Sequence, residues 1–442
     1  MYFQSKIFLF SLFSLIPFFL ILGPAIPEII IMIIIIFFFK ENFSYQNIKQ
    51  YIDKVFLSFL LFFSFIFFNS LGQFLNNEIE LKTLIKSLFL IRFIFFYLSI
   101  KWLSKFLDYK DIKNFYIIII FTILFVSIDL VIQYFLGVDL FGYKAYVPGT
   151  PTAFRLTGPF GDELIPGSYL MRFGFIFSCA VVFFLNYKKN ILLPLIFVIL
   201  SMVIFITGER AAFILFIFGS FLFLIFKRYY FINLFFLISL FLCIFFISIN
   251  DSHIKKRMID YTLYQLEFDI TIFKKKEMKV IGDRYQSNFF LNKIKQFINN
   301  PYGAHYETAY NMFRENKVSG VGYKQFRVRC KDNKYLEMAK SDLKNARCST
   351  HPHNLYFEIL SENGVIGFIL FCFIIFSIFH MILKNEKKNF YLICQLILFF
   401  FPIISSGSFF TNKNLIYIFF IICLSFILNK KKLNIKTRIK DN

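Results

Sequence analysis

Two histidines one residue apart, His351 and His353, stand in the stretch CSTHPHNLYFEILSENGVIGF at residues 348–368. An imidazole titrates near neutral pH, so it is suited to taking a proton from a hydroxyl. His351 precedes Pro352 and reads as structural. His353 precedes Asn354, a helix-capping residue type, and Glu358 and Glu362 follow at i,i+4 spacing on one helical face. For His353 two readings stand together: a general base, or a side chain that only caps and hydrogen-bonds. Upstream, TGERAAF (207–213) sets Glu209 and Arg210 at a turn between two apolar runs. FRLTGPFGDELIPGSYLMRF (154–173) holds Arg155 before a Gly/Pro turn and Arg172 inside the next apolar run. Guanidinium forks match phosphate geometry, and ions at a membrane boundary are costly enough to mark functional candidates. The structural alternatives are a Glu209–Arg210 salt bridge or headgroup snorkelling, Arg172 neutralised by Glu163 or Asp129, and Arg92 paired with Asp129.

These residues must be held by membrane elements. The chain is 58% hydrophobic with 71 Phe, against about 45–50% apolar in soluble domains. The excess falls in blocks of about 17–25 residues, the length that spans a bilayer. The expected fold is an all-α polytopic membrane protein of about twelve transmembrane helices, at 5–22, 25–39, 55–75, 84–103, 115–136, 164–186, 191–207, 211–226, 231–249, 364–383, 390–408 and 412–428. The first stretch lacks a small-residue cleavage site and is expected to remain as an anchor. The domain division is 1–249 (nine spans), 250–363 (a large loop), 364–428 (three spans) and 429–442 (a basic tail).

A net charge of +22 can signal nucleic acid, but here its distribution describes topology and no nucleic acid is expected. Lys40, Lys49 and Lys54 follow span 2; Lys105, Lys110 and Lys113 follow span 4; Lys188 and Lys189 follow span 6; Lys227 and Arg228 follow span 8; Lys384, Lys387 and Lys388 follow span 10. The tail after span 12 is basic too. That alternation is the positive-inside pattern and puts both termini in the cytoplasm. The loop 137–163, the turn 207–210 and the loop 250–363 then face outward together.

The large outer loop reads as mostly helical, with amphipathic spacing in 283–298 and 305–316 and a Gly turn at 319–323. It holds Cys330 and Cys348, which an oxidising compartment would join; closing that loop is worth about 3 kcal/mol in the entropic treatment. A metal site shared with the two histidines is the weaker alternative. His253 and His305 show no partner in the sequence. Asn354 to Glu362 is expected at the interface or against the loop, because two carboxylates are costly in lipid. Gly364 and Gly367 then open span 10 as small residues that let helices approach.

One base and two phosphate-binding arginines thus collect on one side of a membrane, where ATP and nucleotide-sugars are absent. The sequence carries no nucleotide motif, phosphate loop or metal-ligand cluster, so no cofactor and no metal are expected. A substrate carrying its own activation fits, such as a lipid-diphosphate sugar whose tail lies among the membrane lipids.

The sequence His353-Asn354, nine residues, then Gly364-Val-Ile-Gly367 resembles the His-Asn…Gly-x-x-Gly signature of the O-antigen ligase and polymerase superfamily. RLTGPFGDELIPGSYL and TGERAAF are similar to its other recurring segments, and AYNMFRENKVSGVGYKQF to the loop before its histidine. The resemblance covers roughly 140–425. It implies a GT-C-like fold and transfer of a glycan from undecaprenyl diphosphate on the periplasmic side of a bacterial inner membrane. The acceptor would be lipid A–core for a ligase or another lipid-linked repeat for a polymerase. By motif position His353 would be the acceptor-activating base, Arg210 would hold the diphosphate, and Arg155, or Arg172, would be the second phosphate contact. Single displacement would invert the anomeric centre; double displacement would need a carboxylate, for which Glu358 and Glu362 stay open. A polysaccharide or lipid transporter is the alternative of another class, and would be expected to show internal repeats and broken helices at the midplane.

Overall fold

The computed structural model describes residues 2–146, 154–185, 189–228, 230–266, 301–338, 346–384, 389–402 and 407–428. The expected helix at 283–298 and the basic tail lie outside these residues. Helix makes up 78% of the structure, with no strands among the described residues, so the chain is an all-α polytopic membrane protein. The long helices are α1 (Tyr2–Phe19), α2 (Ala25–Glu41), α3 (Lys54–Leu75), α4 (Ile91–Leu103), α5 (Tyr109–Leu136), α6 (Pro166–Phe184), α7 (Lys189–Ile206), α8 (Arg210–Phe226), α9 (Tyr230–Asn250), α10 (Pro301–Glu315), α11 (Leu355–Leu383), α12 (Phe390–Phe399) and α13 (Asn412–Leu428). Among the described residues six helical stretches are long and apolar enough to cross a bilayer, and five more apolar helices are shorter.

Helix α13 is the axis. From Asn414 to Ile427 nearly every side chain is buried, which explains why the segment is apolar all round rather than striped. Phe419 meets Phe59 of α3 at 4.5 Å between ring centroids, and Phe420 meets Phe13 of α1 at 4.8 Å. Among helices in lipid, such van der Waals and aromatic contacts carry association, since burial from lipid gains little. Helix α9 lies at the periphery, with Phe231, Phe241 and Phe246 exposed.

The charges separate into two ends. At one end Lys6 lies under the Trp102 and Phe106 rings beside Glu41, and Lys101 pairs with Asp53. At the other, Arg92 pairs through two nitrogens with Glu28, at 2.7 and 2.8 Å. Arg92 therefore does not neutralise Asp129, which instead accepts from the Leu140 backbone N–H at 2.9 Å.

Helix α11 begins at Leu355, ahead of the expected span start at 364, and is broken there by a kink at Gly364 (φ 63°, ψ −163°). The break frees backbone groups that a membrane helix must satisfy, and the outer loop supplies partners. Val321 N donates to Ser361 O at 2.8 Å, Gly322 N to Glu362 O at 2.9 Å, and Val365 N to Lys317 O at 2.8 Å. A Cβ at Gly364 would stand 2.3 Å from the Val318 carbonyl oxygen, and one at Gly320 (φ 72°) 2.3 Å from the Glu362 carbonyl carbon. Gly364 is thus a backbone requirement of the break, not a helix-packing surface.

Gly364→Ala combines a disfavoured φ, which alone costs about 1–3 kcal/mol, with a clash between backbones. It should lower the melting temperature in detergent markedly or prevent recovery of folded protein. Gly72→Ala, where an added Cβ meets nothing within 4 Å, should melt at or above the parent temperature.

Candidate functional site

The histidine segment is anchored from both sides. Asn354 caps α11, its Oδ1 accepting from Tyr356 N at 3.0 Å and Phe357 N at 3.2 Å, while its Nδ2 donates to Pro402 O at 2.7 Å. The preceding residue, His353, sits at φ 59°, a left-handed conformation that is uncommon for a residue with a Cβ and tends to mark functional sites. Its ring lies 4.3 Å from that of His351, 5.3 Å from His305 and 5.5 Å, edge to face, from Tyr302. Its Nε2 is 3.0 Å from Ser349 Oγ. His305, on α10, contacts the Arg347 carbonyl through Nδ1 at 3.3 Å; a carbonyl only accepts, so Nδ1 carries the proton. Arg347 in turn donates from Nε to Cys330 O at 2.9 Å, and Cys330 is bonded to Cys348. One covalent link and one arginine therefore tie the loop core to the residues on both sides of the His353 ring.

Burial first, and then the neighbouring His351 and His305, push the His353 imidazole down to about 4. It is neutral at physiological pH, the state in which it can accept a proton.

The arginines gather on the adjoining turns. Leu156 N donates to Thr207 O at 3.2 Å, bringing the 154–163 segment against the turn at 207–210. Gly208 (φ 76°) permits the approach, since a Cβ there would meet Phe154 O at 2.6 Å. Glu209 accepts from Gly167 N at 2.6 Å, Ser168 N at 3.1 Å and Ser168 Oγ at 2.6 Å, with Arg155 Nη2 at 3.9 Å. Its pKa is raised by burial, against those hydrogen bonds and the Arg155 charge. Glu209 thus organises the turn around Arg155 and α6. Arg210 lies over the Tyr261 ring at 4.6 Å. Arg257 donates from Nε to Gly208 O at 3.2 Å, out of a five-residue π-helical turn, Lys256–Asp260. Burial, then Arg210 and Arg155, depress the Arg257 pKa, while Tyr261 and Tyr302 act the other way. The three guanidinium groups therefore feel one another, and Tyr302, whose ring meets His353, acts on Arg210 and Arg257.

Several expected site residues lie elsewhere. Glu358 accepts from Phe409 N at 2.8 Å and from Ser408 Oγ; Glu362 accepts from Lys324 N at 2.9 Å and Phe326 N at 3.1 Å. Both carboxylates are buried and bind backbone N–H groups beside the helix break. Gly367 lies against the Asn363 side chain, where a Cβ would come within 2.3 Å. Arg172 is paired with neither Glu163, which pairs with Lys413, nor Asp129; it lies 5.2 Å from the Tyr417 ring and lines a cavity of about 80 Å³. Sequence reading missed Tyr302, His305, Tyr261 and Arg257. Arg257 was hidden in an evenly basic stretch, and His305 finds its partner across the loop.

Residues 195–372 match the family model for O-antigen ligase. That stretch is similar to the O-antigen ligase family. No curated protein matches the chain. The O-antigen ligase region includes Arg210, Arg257, Tyr302, His305 and His353, while Arg155 and Arg172 precede it. The match supports a ligase- or polymerase-type role in surface polysaccharide biosynthesis, with a lipid-linked glycan and an acceptor as substrates in general terms. The family is one of the bacterial inner membrane, which the apolar helices fit.

The depressed His353 pKa carries a stability signature. A histidine whose folded pKa lies below its unfolded value of about 6.5 leaves the fold fully stable above that value, and stability is lost as pH falls from about 6.5 toward 4. Melting temperatures should fall more steeply across that window for the parent than for His353→Gln. Parallel slopes would contradict the assignment.

Proposed function

We propose that the chain transfers a glycan from undecaprenyl diphosphate to an acceptor hydroxyl on the periplasmic face of the inner membrane, the acceptor being lipid A–core or another lipid-linked repeat. The observation that carries this reading is a cluster of three arginines, two of which act with Tyr302, the residue whose ring meets a strained, neutral histidine. The donor diphosphate is held by Arg210, Arg155 and Arg257. Planar forks suit its oxygens, and the fixed positive charge stabilises it as it departs. The acceptor oxygen attacks the anomeric carbon, the bond from that carbon to the diphosphate oxygen breaks, and the hydroxyl proton passes to a ring nitrogen of His353. General-base assistance of this kind contributes about 10²–10⁴-fold. A diphosphate seated among the arginines also opposes the effects that depress His353 and makes it a stronger base. A single displacement inverts the anomeric configuration. Glu358 and Glu362 are committed to backbone N–H groups, and among the described residues no other carboxylate contacts the His353 ring to serve as a nucleophile.

Twelve spans with both termini in the cytoplasm complete the reading. It is supported by the helices on the expected stretches and by the placement of Lys6 and Lys101 at the end opposite the arginines. Charge stabilisation in this scheme comes from arginine, and no cofactor takes part.

The test is surface-polysaccharide analysis on gels. The chain is expressed in bacteria lacking their O-antigen ligase or their polymerase and supplied with the native repeat unit. Glycan attached to lipid A–core in the first strain, or a ladder of repeats in the second, assigns the acceptor. His353→Ala should leave either lane blank while the protein remains inserted. Arg210→Lys and Arg257→Lys keep charge but lose the fork, and each should lower transfer at least tenfold. Wild-type product from His353→Ala would refute the base.

A further inference from the structure

We propose that the cavity beside Arg172 is an anion subsite, separate from the arginine cluster, that takes a phosphate group carried on a lipid. This goes beyond the glycosyl-transfer reading and does not depend on it.

Arg172 lies in α6, a helix long and apolar enough to span the membrane. Among the described residues its guanidinium makes no hydrogen bond or ion pair; the Tyr417 ring at 5.2 Å is its contact, and Tyr417 uses its own hydroxyl to donate to the Arg172 carbonyl at 3.0 Å. A cation so placed within a helical bundle costs about 2.5–3.5 kcal/mol on insertion scales, and such residues ordinarily face a partner or a polar cavity. The cavity it lines measures about 80 Å³, several times the roughly 10–15 Å³ that one water needs and roomy enough for a tetrahedral oxyanion. Glu209 is the carboxylate that acts on Arg172, but its oxygens already accept from Gly167 and Ser168 and face Arg155. It does not occupy the Arg172 fork. The lining combines polar Asn414 and Ser168 with apolar Leu215, Leu398 and Phe401. A guanidinium fork among polar and apolar side chains suits a phosphate headgroup whose lipid portion contacts the apolar ones. Free phosphate shares the recognising group but makes no use of the apolar side chains.

The experiment measures thermal stabilisation of the purified full-length protein in detergent by dihexanoyl phosphatidic acid, by inorganic phosphate, and by dihexanoyl phosphatidylcholine as a zwitterionic control. Parent protein should respond to phosphatidic acid at least tenfold more sensitively than to inorganic phosphate. Equal responses would make free phosphate the ligand and overturn the lipid assignment. Arg172→Gln should raise the half-saturating concentration at least tenfold, whereas Arg210→Gln should leave it unchanged. Ala212→Leu, which fills the cavity and keeps the charge, should act like Arg172→Gln and reads the site even if loss of Arg172 prevents folding. No response in the parent, an undiminished response in Ala212→Leu or Arg172→Gln, or a loss confined to Arg210→Gln would each overturn the proposal. Because binding is read without glycan transfer, failure of the transfer reading leaves this result intact, and the converse holds too.

Discussion

The backbone exchange at Gly364 is the constraint on which the site depends. A helix broken near a membrane leaves carbonyls and N–H groups that lipid cannot satisfy. Here residues 317–322 supply the partners, backbone to backbone, and both Gly320 and Gly364 must lack a Cβ for the chains to meet. Glu362 reinforces the junction by accepting from Lys324 and Phe326, and Glu358, one turn earlier, fastens the same helix to Ser408 and Phe409. The start of α11 is thereby held against both the outer loop and the entry to α13. Asn354 and His353, at that start, inherit a fixed position. This anchoring is what allows a non-glycine residue to remain at φ 59°.

A second constraint acts through charge. Arg155, Arg210 and Arg257 come from three separate segments, and mutual repulsion opposes their gathering. Backbone carbonyls and one carboxylate offset it. Arg155 donates to Leu164 O at 2.6 Å, Arg257 donates to Gly208 O, and Glu209 lies under the turn. The cations are therefore positioned by the protein's own dipoles, which do not have to reorganise when charge develops on a leaving group. The same neighbourhood keeps His353 neutral by burial and by two flanking imidazoles. An uncharged acceptor of protons together with a fixed cationic cluster is the polarity that the proposed transfer to a hydroxyl would use.

The elements that were legible from sequence are those set by local rules. Apolar runs marked the helices, Asn354 marked a cap, and the charges of Arg155 and Arg210 beside Gly-rich turns marked the cationic end. Spacing could not reveal relations between segments. Glu358 and Glu362 look like a reactive pair at i,i+4 and are instead spent on backbone N–H groups of two different loops. Gly364 and Gly367 look like a helix-packing motif, yet Gly364 serves a break whose partner lies more than forty residues upstream. Arg92 and Asp129 suggest a pair by charge alone, but α2 brings Glu28 to Arg92 and the following loop brings Leu140 to Asp129. His305 looked isolated because its contacts with His353 and Arg347 are made across the fold of the outer loop.

The outward face proposed for the site is supported by chemistry that does not involve the site. A disulfide forms and persists on the oxidising side of a membrane, and the Cys330–Cys348 bond lies in the segment that holds Arg347, His305 and His353. The opposite ends of α1, α3 and α4 carry Lys6, Lys54, Lys101 and Lys105, the residues that the positive-inside rule retains in the cytoplasm. These two indicators rest on different physics, thiol redox state and the insertion of cationic loops, and they assign opposite faces to opposite ends of the same bundle. Together they support the proposal that the arginines and His353 face outward, toward substrates already activated by a lipid diphosphate. Reduction of the bond should then weaken the hold on the His353 segment while leaving the helices inserted, because none of the contacts around α13 passes through it.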